Sequence, residues 1–177
     1  MKNENHLLKV TVTAVMTALI CVLTMAVRIP SPTKGYMNLG DCAVLFSGWL
    51  LGPIWGTVAG GIGSAFADLL AGYPIYIPGT FIIKAVMAFI VSLFPHFFPK
   101  NKYSRLHIGF ILSSVIAELL MVAGYYLYEA VIIGEGFVPA FAGVSGNAVQ
   151  AVTGIVGAYF LVAIFSRTDI IKSVQKK

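Results

Sequence analysis

Charge is what this sequence has least of. Lys, Arg, Asp and Glu make up 11% of its 177 residues, against about 25% in a soluble domain. With 58% hydrophobic residues and a mean hydropathy of +0.88, that scarcity excludes a soluble globular protein and leaves an integral membrane protein. Cysteine is nearly missing as well. Cys21 and Cys42 sit in or beside apolar runs without metal-ligand spacing, and both read as packing residues. His6, His96 and His107 fall near the ends of runs and form no ligand cluster, so no metal or other cofactor is expected. Catalytic motifs are absent too. No G-x-x-x-x-G-K-[ST] occurs, so "GGIGS" at 60–64 is not a phosphate loop. No H-E-x-x-H and no Ser/His/Asp arrangement points to hydrolysis, and no enzyme activity is expected. The chain is short for a secondary transporter and shows no inverted-repeat halves. A small bundle with no engine of its own needs partners to move anything.

What the sequence has in abundance is apolar length, running from residue 10 to residue 165. At roughly 20 apolar residues per crossing, this permits about six spans in one membrane domain, 1–177. The spans are expected at about 9–28, 38–52, 54–72, 76–98, 106–133 and 138–165. Turns separate them at "IPSPTKGY", Gly52-Pro53, Gly72-Tyr73-Pro74, "FPHFFPKNKYSR" and "GEG". The second is the weakest, since fifteen residues rise only about 22 Å. Charge nevertheless argues for a crossing. With six spans, Lys2, Lys9, Lys100, Lys102, Arg105, Arg167, Lys172, Lys176 and Lys177 all fall on the side of the N-terminus. Arg28 and Lys34 fall opposite. The positive-inside rule then puts both termini in the cytoplasm. The basic residues flank apolar runs, so the net charge of +5 reads as membrane anchoring and not as a nucleic-acid face. The first run lacks a small-residue cleavage site and more spans follow it, so no cleavable signal peptide is expected.

Asp41, Asp68, Lys84, Glu118 and Glu129 lie inside the expected spans. Each costs at least about 2.5–3.5 kcal/mol near the bilayer centre, so each should face protein or a water-filled cavity. In the six-span topology they share the outer half of the bundle with Asn147 and Gln150. Glu118, Tyr125 and Glu129 stand seven and four apart, on one helical face. Asn147, Gln150, Gly154 and Gly157 share a face of the last span. Polar groups above small ones suggest an outward cavity. Plainer readings stay open: Lys84 with one acid as a structural pair, Asp41 at the water boundary, Asp68 as a solvated helix end, Asn147 and Gln150 as interhelical glue. Tyr73, Tyr76, Tyr125, Tyr126 and Tyr128 partly fit an interfacial belt.

Residues 35–90 carry the motifs G-Y-x-N-L-G-D, L-L-G-P, A-G-G-I-G-S-A-x-A-D-L and I-I-K. In them, and in the span pattern of the whole chain, the protein resembles the substrate-binding S components of energy-coupling factor vitamin transporters. The branch is the riboflavin type, which includes hydroxymethylpyrimidine and pyridoxine carriers. The resemblance implies an all-α, six-helix protein of the prokaryotic cell membrane. It would capture a vitamin from outside and dock on a membrane T component driven by two ATPases. It also implies that the loop after the first span covers the site, while the third loop and the last three spans line it. Transferred residue by residue, with the in-span acids, the substrate-binding set is Tyr36, Asn38, Asp41, Tyr76, Lys84, Glu118, Tyr125, Glu129, Asn147 and Gln150. Lys84 is expected to pair with Glu118 or Glu129, or with an acidic or phenolic substrate group. The family's A-x-x-x-A docking pattern matches Ala14 and Ala18, although Val22 stands where a third alanine would extend it. Pyridoxine or hydroxymethylpyrimidine is favoured as ligand, with riboflavin or pantothenate as alternatives. A membrane-embedded enzyme or a stand-alone channel is the reading from a different class.

Overall fold

A computed structural model describes residues 2–30, 36–93 and 104–166, together with Thr168 and Val174. Lys34, His96, Lys100, Lys102, Arg167, Lys172, Lys176 and Lys177 lie outside the described residues, as does the 94–98 end expected for the fourth span. Six α-helices dominate what is described: α1 (Lys2–Ala26), α2 (Gly40–Leu51), α3 (Pro53–Ala71), α4 (Ile77–Leu93), α5 (Phe110–Leu127) and α6 (Phe137–Phe165). A 3₁₀ turn at Pro74–Tyr76 leads into α4, and π-helical turns at Ser104–Gly109 and Tyr128–Ile132 extend α5 at both ends. Five of these stretches are long and apolar enough to cross a bilayer, and Gly40–Leu51 is the shorter sixth.

Between α1 and α2 the chain forms a two-stranded antiparallel hairpin that the sequence reading treats as loop. β1 (Arg28–Pro30) pairs with β2 (Tyr36–Asn38), with Ile29 opposite Met37. The hairpin trims the helices beside it. The first ends at Ala26, not at 28, and the second starts at Gly40, not at 38. Helix α2 then stops at Gly52, whose φ of 82° is open to glycine. Pro53 follows as the first residue of α3, where its missing N–H costs nothing. Twelve residues rise only about 18 Å. Ten of the twelve are buried, because α2 packs against α1, α3, α4 and α6. A helix wrapped by protein has no need to match the lipid thickness, which accounts for its shortness.

The long helices divide into lipid and protein faces at helical spacing. On α6, Val138, Phe141, Val149, Val152, Val156, Phe160 and Ile164 are exposed. Ala140, Gly143, Gln150, Gly154, Ala158 and Val162 on the other face are buried. Small residues on the protein faces bring the backbones together. A Cβ on Gly48 would lie 2.3 Å from the Ala88 carbonyl oxygen of α4, and one on Gly56 would lie 2.7 Å from Gly48 Cα. The neighbour in both cases is backbone and cannot rotate away. Gly48→Ala is therefore expected to cost about 1–3 kcal/mol by overpacking. It should lower the thermal unfolding midpoint in detergent, whereas Val58→Ala on the half-exposed side of α3 should leave it nearly unchanged. An unshifted midpoint for Gly48→Ala would contradict this packing.

Candidate functional site

The hairpin roofs a small cavity among the helices. Its volume is about 30 Å³, taken as the space open to the centre of a water molecule, enough for roughly two waters. Thr24 of α1, Tyr36 and Asn38 of β2, Ser64 and Asp68 of α3, and Tyr76 line one side. Thr80 and Lys84 of α4, Tyr125 of α5, Glu129 beyond it, and Asn147 and Gln150 of α6 complete the wall.

Beneath the cavity lies a fully buried ion pair. Lys84 Nζ on α4 donates to Asp41 Oδ1 in the first turn of α2, with side chains 3% and 0% exposed. Gln150 Nε2 donates to the other carboxylate oxygen at 2.7 Å. The side-chain oxygen Gln150 Oε1 in turn accepts the Asn38 backbone N–H at 2.8 Å, and Asn38 Oδ1 accepts the Gly40 N–H at 2.8 Å. A single glutamine thus ties the roof to the ion pair. Lys84 also lies 5.3 Å from the centroid of the Tyr125 ring, a cation–π distance. Glu118 is 1% exposed and neighbours the pair. Its carboxyl stands against that of Asp41. Gly154 makes room for this cluster: a Cβ there would stand 2.6 Å from Glu118 Oε1 and 2.9 Å from Asp41 Cβ.

The roof has further attachments. Tyr36 Oη donates to Asp68 Oδ1 at 2.7 Å, and its ring lies 4.9 Å from that of Tyr73. Burial and the adjacent Asp68 carboxylate hold the Tyr36 hydroxyl protonated well above the ordinary tyrosine range, so it remains a donor. Met37 rests on α6, where a Cβ at Gly146 would lie 3.0 Å from its sulfur. In the walls, Tyr76 Oη donates to Glu129 Oε1 at 3.2 Å, and the Thr80 and Tyr125 hydroxyls meet at 3.0 Å.

Of the ten ligand-binding positions expected from sequence, eight line this cavity; Asp41 and Glu118 lie under it. The expected partner of Lys84 is corrected from Glu118 or Glu129 to Asp41. Helix α2 begins directly below the hairpin and packs on α4, bringing Asp41 to the ammonium, while Glu129 takes the Tyr76 hydroxyl. Asp41 is not at the water boundary, and Asp68, at 4% exposure, is not a solvated helix end. Thr24, Ser64, Asp68 and Thr80 were outside the expected set. Tyr76, Thr80 and Lys84 stand four apart, as do Ser64 and Asp68, and that spacing was the available signal. Thr24 carried none.

Removing one partner of a buried pair costs about 3–5 kcal/mol because the other charge stays behind. Lys84→Met should therefore lower the thermal midpoint sharply, and Lys84→Met with Asp41→Asn should recover much of the loss. Equal destabilisation by the single and double variants would contradict a direct pair.

Comparison with known proteins places this geometry in a family. Residues 4–167 match the family model of the ECF-type riboflavin transporter S component. A thiamine precursor transporter, HmpT, of Lactococcus lactis subsp. cremoris is 30% identical over 178 residues, covering 99% of this chain and 98% of its own. An uncharacterized protein from the gap 3′ region of Pyrococcus woesei is 38% identical over 138 residues, 77% of this chain and 87% of that one. These are transport proteins of the cell membrane and not enzymes where a function is named. The chain belongs to the ECF-type riboflavin transporter S component family, and is a multi-pass membrane protein for uptake of a vitamin or vitamin precursor.

Proposed function

We propose that this S component captures a single-ring vitamin precursor, hydroxymethylpyrimidine foremost, in the cavity beneath the hairpin. It then hands the ligand on through a membrane T component powered by two ATPases. The observation that carries the ligand class is the size and lining of the cavity. Ligand pockets generally hold a few hundred Å³ and mix apolar rings with a few placed polar groups. This one is lined by three tyrosines, by short polar side chains and by Lys84, Glu129 and Gln150, and holds about 30 Å³. Admitting one flat ring asks for displacement of the hairpin, whose attachments include two side-chain hydrogen bonds, the Tyr36–Tyr73 ring contact and the Met37 contact. The name of the Lactococcus relative, a thiamine precursor transporter, supports the same size class. Within the site, ring stacking falls to Tyr36, Tyr76 or Tyr125, and hydrogen bonding to Asn38, Asn147 and Gln150. Asp41, held by Lys84, sets the position of Gln150 from below.

Coupling to partners rests on α1. Ala14 and Ala18 are exposed, and so is Val22 in the next position of the stripe. Small exposed residues four apart allow a second helix to approach closely. The chain has no phosphate loop, so energy for release comes from partner ATPases.

Titration of the detergent-purified chain, followed by calorimetry, should show stoichiometric binding of hydroxymethylpyrimidine or pyridoxine. Both should bind more tightly than riboflavin or pantothenate. Liposomes holding this chain alone should show no flux of the bound ligand. Ala18→Trp should leave affinity within about twofold, since it lies away from the cavity, and abolish uptake in the complete transporter. Tighter binding of riboflavin would overturn the ligand class; flux through the isolated chain would overturn the capture role.

A further inference from the structure

The cavity wall contributed by α3 has two polar groups that the fold itself leaves unused. Ser64 and Asp68 stand four residues apart on one face. They are 1% and 4% exposed, and both line the cavity. Asp68 Oδ1 accepts the Tyr36 hydroxyl, while Asp68 Oδ2 and Ser64 Oγ have no hydrogen-bond partner among the described residues. Thr80 hydrogen-bonds the same carboxylate and Lys84 faces it. Oδ2 itself has no partner among the described residues, and Lys84 is committed to Asp41. Three other buried serines discharge their hydroxyls onto their own helix: Ser47 onto the Val44 carbonyl, Ser92 onto Phe89 and Ser113 onto Phe110. Ser64 and Ser114 do not, and of these two only Ser64 lines the cavity. A buried polar group without a partner is costly, and here two such groups sit side by side on the wall of a cavity.

The chemistry of the two groups defines what completes them. A carboxylate oxygen only accepts; a hydroxyl donates or accepts. Together they present an acceptor next to a donor, the complement of an amino group next to a ring nitrogen. We propose that Asp68 and Ser64 are the specificity-determining edge of the site: Oδ2 accepts an N–H of an exocyclic amine, and the Ser64 hydroxyl donates to the neighbouring ring nitrogen. The ligand is then an aminopyrimidine or related amino-heteroarene. Its oxo counterpart is rejected, because a carbonyl oxygen at the same position meets the carboxylate with two acceptors and no hydrogen. The inference rests on the capture reading of the cavity and adds to it the orientation of the ligand and the two residues that read its amino edge.

The test compares two compounds on the purified full chain by calorimetry: 4-amino-5-hydroxymethyl-2-methylpyrimidine and its 4-oxo analogue. Wild type should prefer the amino compound by about 100-fold or more, since a site built around a hydrogen bond discriminates strongly against the mismatched group. Asp68→Asn offers an amide that can donate as well as accept, and should shrink or invert that preference. Ser64→Ala should weaken the amino compound about tenfold with an unchanged thermal midpoint, and supplies the answer if Asp68→Asn does not fold. An unaltered preference in Asp68→Asn, or unaltered affinity in Ser64→Ala, overturns the proposal. So does a wild type that binds the two compounds equally. A wild type that binds pyridoxine or riboflavin but neither pyrimidine overturns this edge and leaves capture standing. Binding of none of them overturns capture and the edge together.

Discussion

The buried pair between Lys84 and Asp41 is the constraint on which the site depends. Two opposite charges deep in an apolar bundle must find each other, and the contact fixes α4 against α2 at one register. That register determines the rest. It puts Asp41 Oδ2 within reach of Gln150 on α6, and Gln150 then has its carbonyl oxygen free for the backbone of the hairpin. The roof of the cavity is therefore coupled to its floor through one side chain. Glycine at 154 is part of the same arrangement, since any side chain there would collide with Asp41 and Glu118.

Around this centre the molecule solves two unlike problems. Toward lipid it presents branched and aromatic side chains at helical spacing, which require nothing beyond hydrophobicity. Toward its own interior it packs Ile20, Leu45, Phe46, Met87, Phe110 and Met121, with glycine and alanine where backbones approach closely. Helix α2 shows the consequence. Surrounded by four other helices, it is freed from the length a lipid-facing span needs, and its first turn becomes the place where an acid can be buried.

Much of the fold was legible because its signals are additive. Long apolar runs, punctuated by Gly-Pro and Gly-Tyr-Pro, mark helices without tertiary information. The hairpin was not legible: "RIPSPTKGYMN" holds two prolines and no alternating pattern, and its pairing depends on attachments to α3 and α6. The site divides the same way. Depth along each helix placed Lys84, Glu129 and Gln150 in one layer. Depth does not reveal azimuth, however, so the choice among four in-span acids for Lys84 went to the wrong helix. Asp68 was noticed as an in-span charge and left out of the binding set, because a carboxylate near a helix end looks solvated until the hairpin is folded over it.

The central claim is that the space beneath the hairpin holds one small ring. Native mass spectrometry of the chain, purified in mild detergent from cells supplied with vitamins, tests it most directly. The account predicts one retained molecule with the mass of a single-ring precursor, lost on Gln150→Leu, which unties the roof from the floor. A retained tricyclic vitamin, or a single-ring ligand kept undiminished by Gln150→Leu, would contradict it.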